Sequence, residues 1–457
     1  MGESLIFIKR ARIVITMSIK KVIEKTPGYD TWVLPYHKIK AFQAANKYDY
    51  PASALKVIGV TGTNGKTTTC FMIYQMLKSA GKKVGMMTTV GWGADEIEYQ
   101  SFHMTTVEPK LLNRRIREIT DSGVEYLVLE LTSHALSQYR SFGIPIDIAV
   151  MTNLTHEHLD YHKTFAKYRA SKEKLFKQAQ KTHHGRKIGV INADDQNARY
   201  FAADIENPLT YGVENGDLTA RQIKLTPNGV EYFIKVPKSI SDKIGQDIPD
   251  EKLHIRTKIA GEFNVYNSLA AVAVGLSYGL SKEQIEQGIL SLDSVEGRMN
   301  SIDEGQPFHV IVDYAHTPDS FAKLFADMKE SVKGRIIALF GSAGGRRDPA
   351  KRGQQGEIAG KYADMVILTE EDDRDTPGME ILDQIAKGVE SEGKIRDKDL
   401  FLIPDRTDAI KFAFQTAKKD DMVLLLGKGH EKTIERVDGE HPWNEIELAH
   451  ELLRELK

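Results

Sequence analysis

The sequence has one cysteine, Cys70, in 457 residues. A disulfide framework or a multi-cysteine zinc site needs more, so both are excluded, and a reducing, cytoplasmic setting fits best. No apolar run approaches the ~20 residues of a membrane-spanning helix, so no membrane span is expected. No charge predominates either: 62 Lys and Arg face 64 Asp and Glu, a formal net charge of −2. That balance argues against nucleic acid as the main partner, because polyanion-binding chains carry a basic excess. Repeats and low-complexity tracts are also missing. What is present is a globular composition, 41% hydrophobic and 28% charged, and a length that calls for two or three domains.

The first residues, MGESLIFIKRARIVITM, carry a short apolar stretch broken by Lys9, Arg10 and Arg12 and show no signal-peptide cleavage pattern. They read as an irregular cytosolic N-terminus, with Met17 as an alternative start. From Leu55 the pattern becomes strand, loop, helix, repeated. Buried-strand runs fall at Lys56–Val60, Tyr126–Leu129, Ile146–Met151 and Ile188–Ile191, and a helix is predicted over Thr67–Ser79. QIKLTPNGVEYFIKV reads as a hairpin turning at Pro227-Asn228-Gly229. Five further strands, His309–Val312, Ile336–Phe340, Met365–Leu368, Leu400–Ile403 and Met422–Leu426, alternate with helical segments, the pattern of a doubly wound parallel sheet. The predicted class is α/β: a short N-terminal region (1–54), a central P-loop-type ATP-binding domain (55–300) and a C-terminal Rossmann-like domain (301–457).

Three segments carry chemistry. Gly62-Thr63-Asn64-Gly65-Lys66-Thr67-Thr68 lies between a strand and a helix, where glycines let backbone N–H groups face a phosphate and the helix start adds its positive dipole end. Lys66 would reach the β- and γ-phosphates and Thr67 would bind Mg²⁺. The first glycine of the strict pattern is replaced by Val60, which leaves G-x-x-G-K-T. Glu130 closes an apolar strand, the place where ligands of open α/β sheets gather, and is suited to hold a cation. The next strand ends in Asn153-Leu154-Thr155-His156-Glu157-His158-Leu159-Asp160-Tyr161-His162, a dense set of potential ligands. That set also permits another class, a two-zinc hydrolase with an H-x-H-x-D pattern, although its last histidine falls one residue late. Lys172 taken alone reads as an exposed helix lysine.

Together with GEFNVYN, VEGRMN, DYAHTPDS, GSAGGRRDPAKR and LLLGKGHEK, in this order, these segments resemble the Mur ligase family of ATP-dependent amide-bond ligases. The branch they resemble is the MurE type, which makes the tripeptide stage of peptidoglycan precursors. The resemblance implies ATP and Mg²⁺ as cofactors, with one Mg²⁺ held by Thr67 and Glu130. It implies a second held with help from His158 and from Lys172 carrying a carbamate. Asn264, Asn267, Arg298 and Asp313 match nucleotide contacts. Thr105, Thr106, Thr132, Gln138 and Arg140 match positions that grip the muramoyl peptide. Arg347, Asp372, Arg374, Gly427 and Glu431 match those that read the incoming amino acid. The implied partners are a UDP-muramoyl dipeptide and a free amino acid, bound by a monomer.

Two departures shape the expectation. MurE-type enzymes carry a full uridine-binding N-terminal domain, whereas only Met1–Ala54 precedes the ATP-binding region, so the acceptor is expected to be read weakly through UDP or presented on another carrier such as a lipid. The family's D-N-P-R motif stands here as Glu371-Asp372-Asp373-Arg374, preceded by Glu370. The added acid favours an amino acid with a cationic side chain, a diamino acid such as meso-diaminopimelate or L-lysine; a solvated acidic loop is the plainer interpretation. The alternatives are a folylpolyglutamate-like ligase, a lipid-carrier-directed ligase, and a nucleotide-binding scaffold without activity.

Overall fold

The computed structural model describes residues 29–100, 104–183, 185–226, 229–345 and 350–456. The N-terminal stretch, the turn residues Pro227 and Asn228, and Arg347 lie outside the described residues. Six parallel strands form the middle of an 11-stranded sheet, in the order Asn207–Gly212, Ile188–Asn192, Ile146–Met151, Lys56–Thr61, Tyr126–Glu130, Val84–Met87. Their residues are apolar on both faces because helices cover both, as a parallel sheet requires. At one side the antiparallel strands Gly91–Gly93 and Ile97–Tyr99 extend the sheet; at the other Leu218–Thr226 joins as a seventh parallel strand beside Asn207–Gly212, and Gly229–Val236 and Glu251–Thr257 follow it antiparallel.

Strand order reverses at Lys56–Thr61, which sits between the strands that follow it in sequence at Tyr126 and Ile146. Such a switch point opens a crevice at the carboxyl ends of the strands, and the glycine loop leaves from it. The helix after the loop, Lys66–Ser79, packs against Phe263–Ser277 and Lys282–Leu290. The fit is close: a side chain at Gly288 would start 2.7 Å from the Met76 Cα.

A second sheet begins at Asn300. Its order is Asn300–Ile302, His309–Asp313, Met422–Leu426, Ile336–Phe340, Met365–Leu368, Leu400–Leu402, and all but the first strand run parallel. The five strands read from the sequence are therefore present, and the edge strand Asn300–Ile302 is added. An ion pair between Arg406 and Glu445, at 2.6 Å and with neither side chain exposed, ties this unit's last helix to the helix Arg406–Thr416, and the same guanidinium donates to the Leu426 carbonyl at the end of a central strand at 2.9 Å. At the other end of the chain, helix Tyr29–Lys47 lies against Pro109–Asp121.

Candidate active site

The glycine loop is built by its neighbours. Gly62 passes so close to Thr152 that a Cβ there would lie 1.8 Å from Thr152 Oγ1. Gly65 has φ +80°, and a Cβ would lie 2.3 Å from Asn267 Oδ1. Only glycine satisfies both positions. Asn64 is fixed through its backbone: its N–H donates to Asn153 Oδ1 at 2.9 Å, and its carbonyl accepts from Thr152 Oγ1 at 2.6 Å. Thr63 Oγ1 meets the Tyr168 hydroxyl at 2.9 Å and accepts from the Thr155 N–H at 2.9 Å. Lys66 folds back to donate to the Thr63 carbonyl at 2.7 Å. Thr67 and Thr68 are buried in the first turn of the helix.

Glu130 is buried, and its hydrogen bonds come from neutral groups. Thr67 Oγ1 and the Thr89 N–H donate to Oε2 at 2.9 Å each, and Thr89 Oγ1 lies 3.0 Å from Oε1. Thr89 escaped the sequence reading; it precedes the short strand Gly91–Gly93, and nothing local marks it as a partner of a residue 41 positions away. Lys172 is not an exposed helix lysine. It is 2% exposed, donates to the Gly62 carbonyl at 2.5 Å and stands 4.8 Å from the centre of the Tyr168 ring. Burial, aided by the Lys66 charge, pushes its pKa well below the ordinary lysine value. His158 takes a left-handed backbone (φ 55°), and its ring lies 6.3 Å from the same Tyr168 ring. Glu157 Oε2 is 3.6 Å from its Nε2.

The histidines of the zinc alternative point apart. His156 stacks on Phe165 at 4.6 Å, while His162 is buried between Ser133 Oγ (3.0 Å) and Ser171 Oγ (3.3 Å). Among the described residues no three His, Cys, Asp or Glu side chains are grouped to hold a metal ion. The oxygen donors Thr67 and Glu130 instead suit a hard cation such as Mg²⁺.

A cavity of about 620 Å³ joins these residues to the C-terminal unit. Asn264, Asn267, Arg298 and Asp313 all line it. Asn267 accepts from Thr69 Oγ1 at 3.2 Å and donates to Asn264 Oδ1 at 2.8 Å. Asp313 accepts from the N–H groups of Met299 (2.8 Å) and Ala315 (2.7 Å), and the Arg298 guanidinium lies over the Tyr314 ring at 4.5 Å. Burial raises the Asp313 pKa, and Arg298 opposes that rise. His316 also lines the cavity. Burial, with Lys351 nearby, lowers its pKa to about 3 and keeps the ring neutral.

The peptide-gripping candidates form one connected group. Thr105 Oγ1 lies 3.0 Å from Thr89 Oγ1, Thr106 Oγ1 donates to the Glu130 carbonyl at 3.0 Å, and the Thr132 N–H reaches Thr106 Oγ1 at 3.3 Å. Arg140 donates to Gln138 Oε1 at 2.8 Å and to the Thr106 carbonyl, and Gln138 donates to the Tyr161 hydroxyl at 3.2 Å.

The acidic run is not a solvated loop: Glu370, Glu371 and Asp372 are all buried. Lys428, fully buried and given no role in the sequence reading, donates to Asp372 Oδ1 at 2.9 Å and to Glu431 Oε2 at 2.6 Å. Arg374, at φ 56°, donates to Glu435 Oε2 at 2.8 Å, and Arg436 is held by Glu370 at 2.7 Å. Gly427 keeps clear the space beside Glu371, whose Oε2 would be 2.7 Å from a Cβ. Glu371 and Asp373 are left over once these pairs are made. Burial raises both their pKa values, that of Asp373 to about 6.

Comparison with known proteins agrees with this geometry. Residues 60–275 match the Mur ligase middle domain and residues 297–429 the Mur ligase glutamate ligase domain. A UDP-N-acetylmuramyl-tripeptide synthetase of Roseiflexus sp. (strain RS-1) is 40% identical over 426 residues, 90% of this chain and 81% of that protein. A UDP-N-acetylmuramoyl-L-alanyl-D-glutamate–2,6-diaminopimelate ligase of Geobacillus thermodenitrificans (strain NG80-2) is 40% identical over 388 residues, 84% of this chain and 76% of that protein. Among solved structures, a ligase of the latter name superposes with a TM-score of 0.61 at 28% identity, covering 88% of this chain and 79% of that one. A Mycobacterium tuberculosis folylpolyglutamate synthase shares the fold alone, with a TM-score of 0.67 at 13% identity over 91% of this chain and 96% of that one. With both domains matched and relatives 40% identical over most of their length, the chain belongs to the Mur ligase family.

Proposed function

We propose that this chain is an ATP-dependent ligase of the MurE type, adding a diamino acid to UDP-N-acetylmuramoyl-L-alanyl-D-glutamate in peptidoglycan precursor synthesis. The observation that carries this reading is a single cavity that begins at the glycine loop and ends at Glu431. Triphosphate, acceptor carboxylate and incoming amine must meet in such a space. Glu371 and Asp373, which lie outside the pairs above, favour a substrate whose side chain is an ammonium, meso-diaminopimelate or L-lysine. Location in the cytoplasm and action as a monomer belong to the same proposal.

The acceptor's terminal carboxylate attacks the γ-phosphorus of ATP and ADP leaves, giving an acyl phosphate. The amine then attacks the acyl carbon, phosphate leaves with the carbon–oxygen bond electrons, and the amine gives up its proton. The first step brings together two anions, so positive charge has to be placed before reaction. Lys66 and the N–H groups at the start of helix Lys66–Ser79 supply part of it. Thr67 and Glu130 would hold one Mg²⁺, and His158 with Lys172 would hold a second; the metal's contribution is to neutralise phosphate charge. As an ammonium, Lys172 would repel a metal. Burial, which lowers the Lys172 pKa, favours the neutral amine that captures CO₂, and the carbamate so made would be an oxygen ligand. Arg140, anchored by Gln138, would orient the acceptor.

The test is incubation with ATP, Mg²⁺, the muramoyl dipeptide with or without its UDP, and a panel of amino acids, following phosphate and product mass. The proposal expects a product with a diamino acid. Turnover of glutamate alone would refute it. Equal affinity for the two acceptors would show that the uridine is not read.

A further inference from the structure

We infer that Asp319 is a positioning residue that seats the C-terminal unit, with its amino-acid site, on the phosphate loop. The helix Pro318–Ser331 starts with Thr317 accepting from the Ser320 N–H and with Pro318 in its first turn. Asp319 in that turn reaches across the crevice. Its Oδ2 accepts from Asn64 Nδ2 at 2.8 Å, from Thr155 Oγ1 at 3.4 Å and from its own helix's Lys323 at 3.1 Å. Asn64 cannot follow if the helix moves, because its backbone is fixed by Thr152 and Asn153. The contact therefore fixes the helix to the loop.

The segment just before this helix carries the position further. Asp313, Tyr314, Ala315 and His316 line the nucleotide cavity, and the Tyr314 hydroxyl donates to Glu431 Oε1 at 3.1 Å. Glu431 in turn shares Lys428 with Asp372. A continuous set of hydrogen bonds and one short backbone segment thus runs from the phosphate loop to the amino-acid cluster, and Asp319 is its first link. Electrostatics sharpens the inference. A carboxylate beside a loop that receives a polyphosphate works against nucleotide binding, and Lys323 offsets only part of that. Removing Asp319 should loosen the seat and leave the hold on ATP equal or stronger. Damage to the fold would weaken both.

This inference rests on the ligase reading, and its test separates the two. Asp319→Ala is expected to lower kcat for ligation about tenfold, the low end for a lost charged hydrogen bond at a half-exposed site, with ATP affinity equal or higher. Asp319→Asn keeps an acceptor oxygen and is expected to stay within about threefold of the parent kcat. Asn64→Ala combined with Asp319→Ala should be no slower than the slower single variant, since both remove one contact. Spin labels at Lys83→Cys and Lys361→Cys, specific because Cys70 is buried, should report a broader inter-domain distance in Asp319→Ala. Multiplicative losses, a joint fall in ATP affinity and kcat, or an unchanged distance distribution would each overturn the inference. A parent protein that releases no phosphate would refute the ligase reading, while the label distances would still decide the role of Asp319.

Discussion

Replacing Glu130 separates its structural role from its chemical one. The carboxylate receives Thr67 Oγ1, the Thr89 N–H and Thr89 Oγ1 at 2.9 to 3.0 Å. In Glu130→Gln the amide oxygen can keep the first two donors. The new NH₂ can donate to Thr89 Oγ1, whose own hydrogen is then free for Thr105. Every group stays paired, and a buried charge is removed, so stability should change by less than about 1 kcal/mol. Glu130→Ala strands the buried Thr67 hydroxyl and the Thr89 N–H and should cost about 1–3 kcal/mol. Activity should not follow stability. Without a carboxylate beside Thr67, phosphate release should fall about 10²–10³-fold in both variants, the scale for losing one preplaced electrostatic group. Denaturation with and without MgATP completes the assay. At nucleotide 100-fold above its Kd, the parent gains ~2.7 kcal/mol, and Glu130→Gln should gain far less. An undiminished magnesium-dependent gain together with parental turnover in Glu130→Gln would refute the reasoning.

Other perturbations give equally specific outcomes. Lys172→Ala should abolish most phosphate release, with partial recovery on adding a short carboxylic acid, and native mass spectrometry of the parent should find the added mass of one CO₂, lost in the variant. Gly65→Ala places a Cβ 2.3 Å from Asn267 Oδ1 at φ +80°; titration should find ATP binding lost, and denaturation a cost of about 1–3 kcal/mol. Asp373 binds its proton more tightly folded, with a pKa of about 6 against about 4 unfolded. Stability should therefore fall as pH rises through that window, and Asp373→Asn should flatten the fall in denaturant midpoints.

What the sequence reveals about this molecule depends on the range of the interactions. The glycine loop is legible because strand, turn and helix N-terminus are contiguous, and Glu130 because strand ends in such folds face the ligand. Lys172 could have been read. Tyr168, Lys172, Leu175, Phe176 and Ala179 share one helical face, and all five are buried. A lysine within an apolar stripe is the mark of a buried amine, and a motif-by-motif reading passes over it. Thr89 was not legible, since Glu130 lies 41 positions away, and the pairing of Lys428 with Asp372 was not, since they are 56 positions apart. The acidic run was ambiguous for the same reason: only the fold brings Lys428 and Arg436 to it. The short strand Val84–Met87 carries a glycine and two methionines, a weak strand pattern, and it holds its place through its parallel neighbour Tyr126–Glu130.

The central claim is that ATP activates a carboxylate by direct phosphoryl transfer within this crevice. Acceptor labelled with ¹⁸O in its reacting carboxylate, turned over with ATP, Mg²⁺ and the diamino acid, tests it most directly. The account predicts that one labelled oxygen leaves with each inorganic phosphate, detected by mass spectrometry. Phosphate without label, alongside formation of the amide, would contradict it.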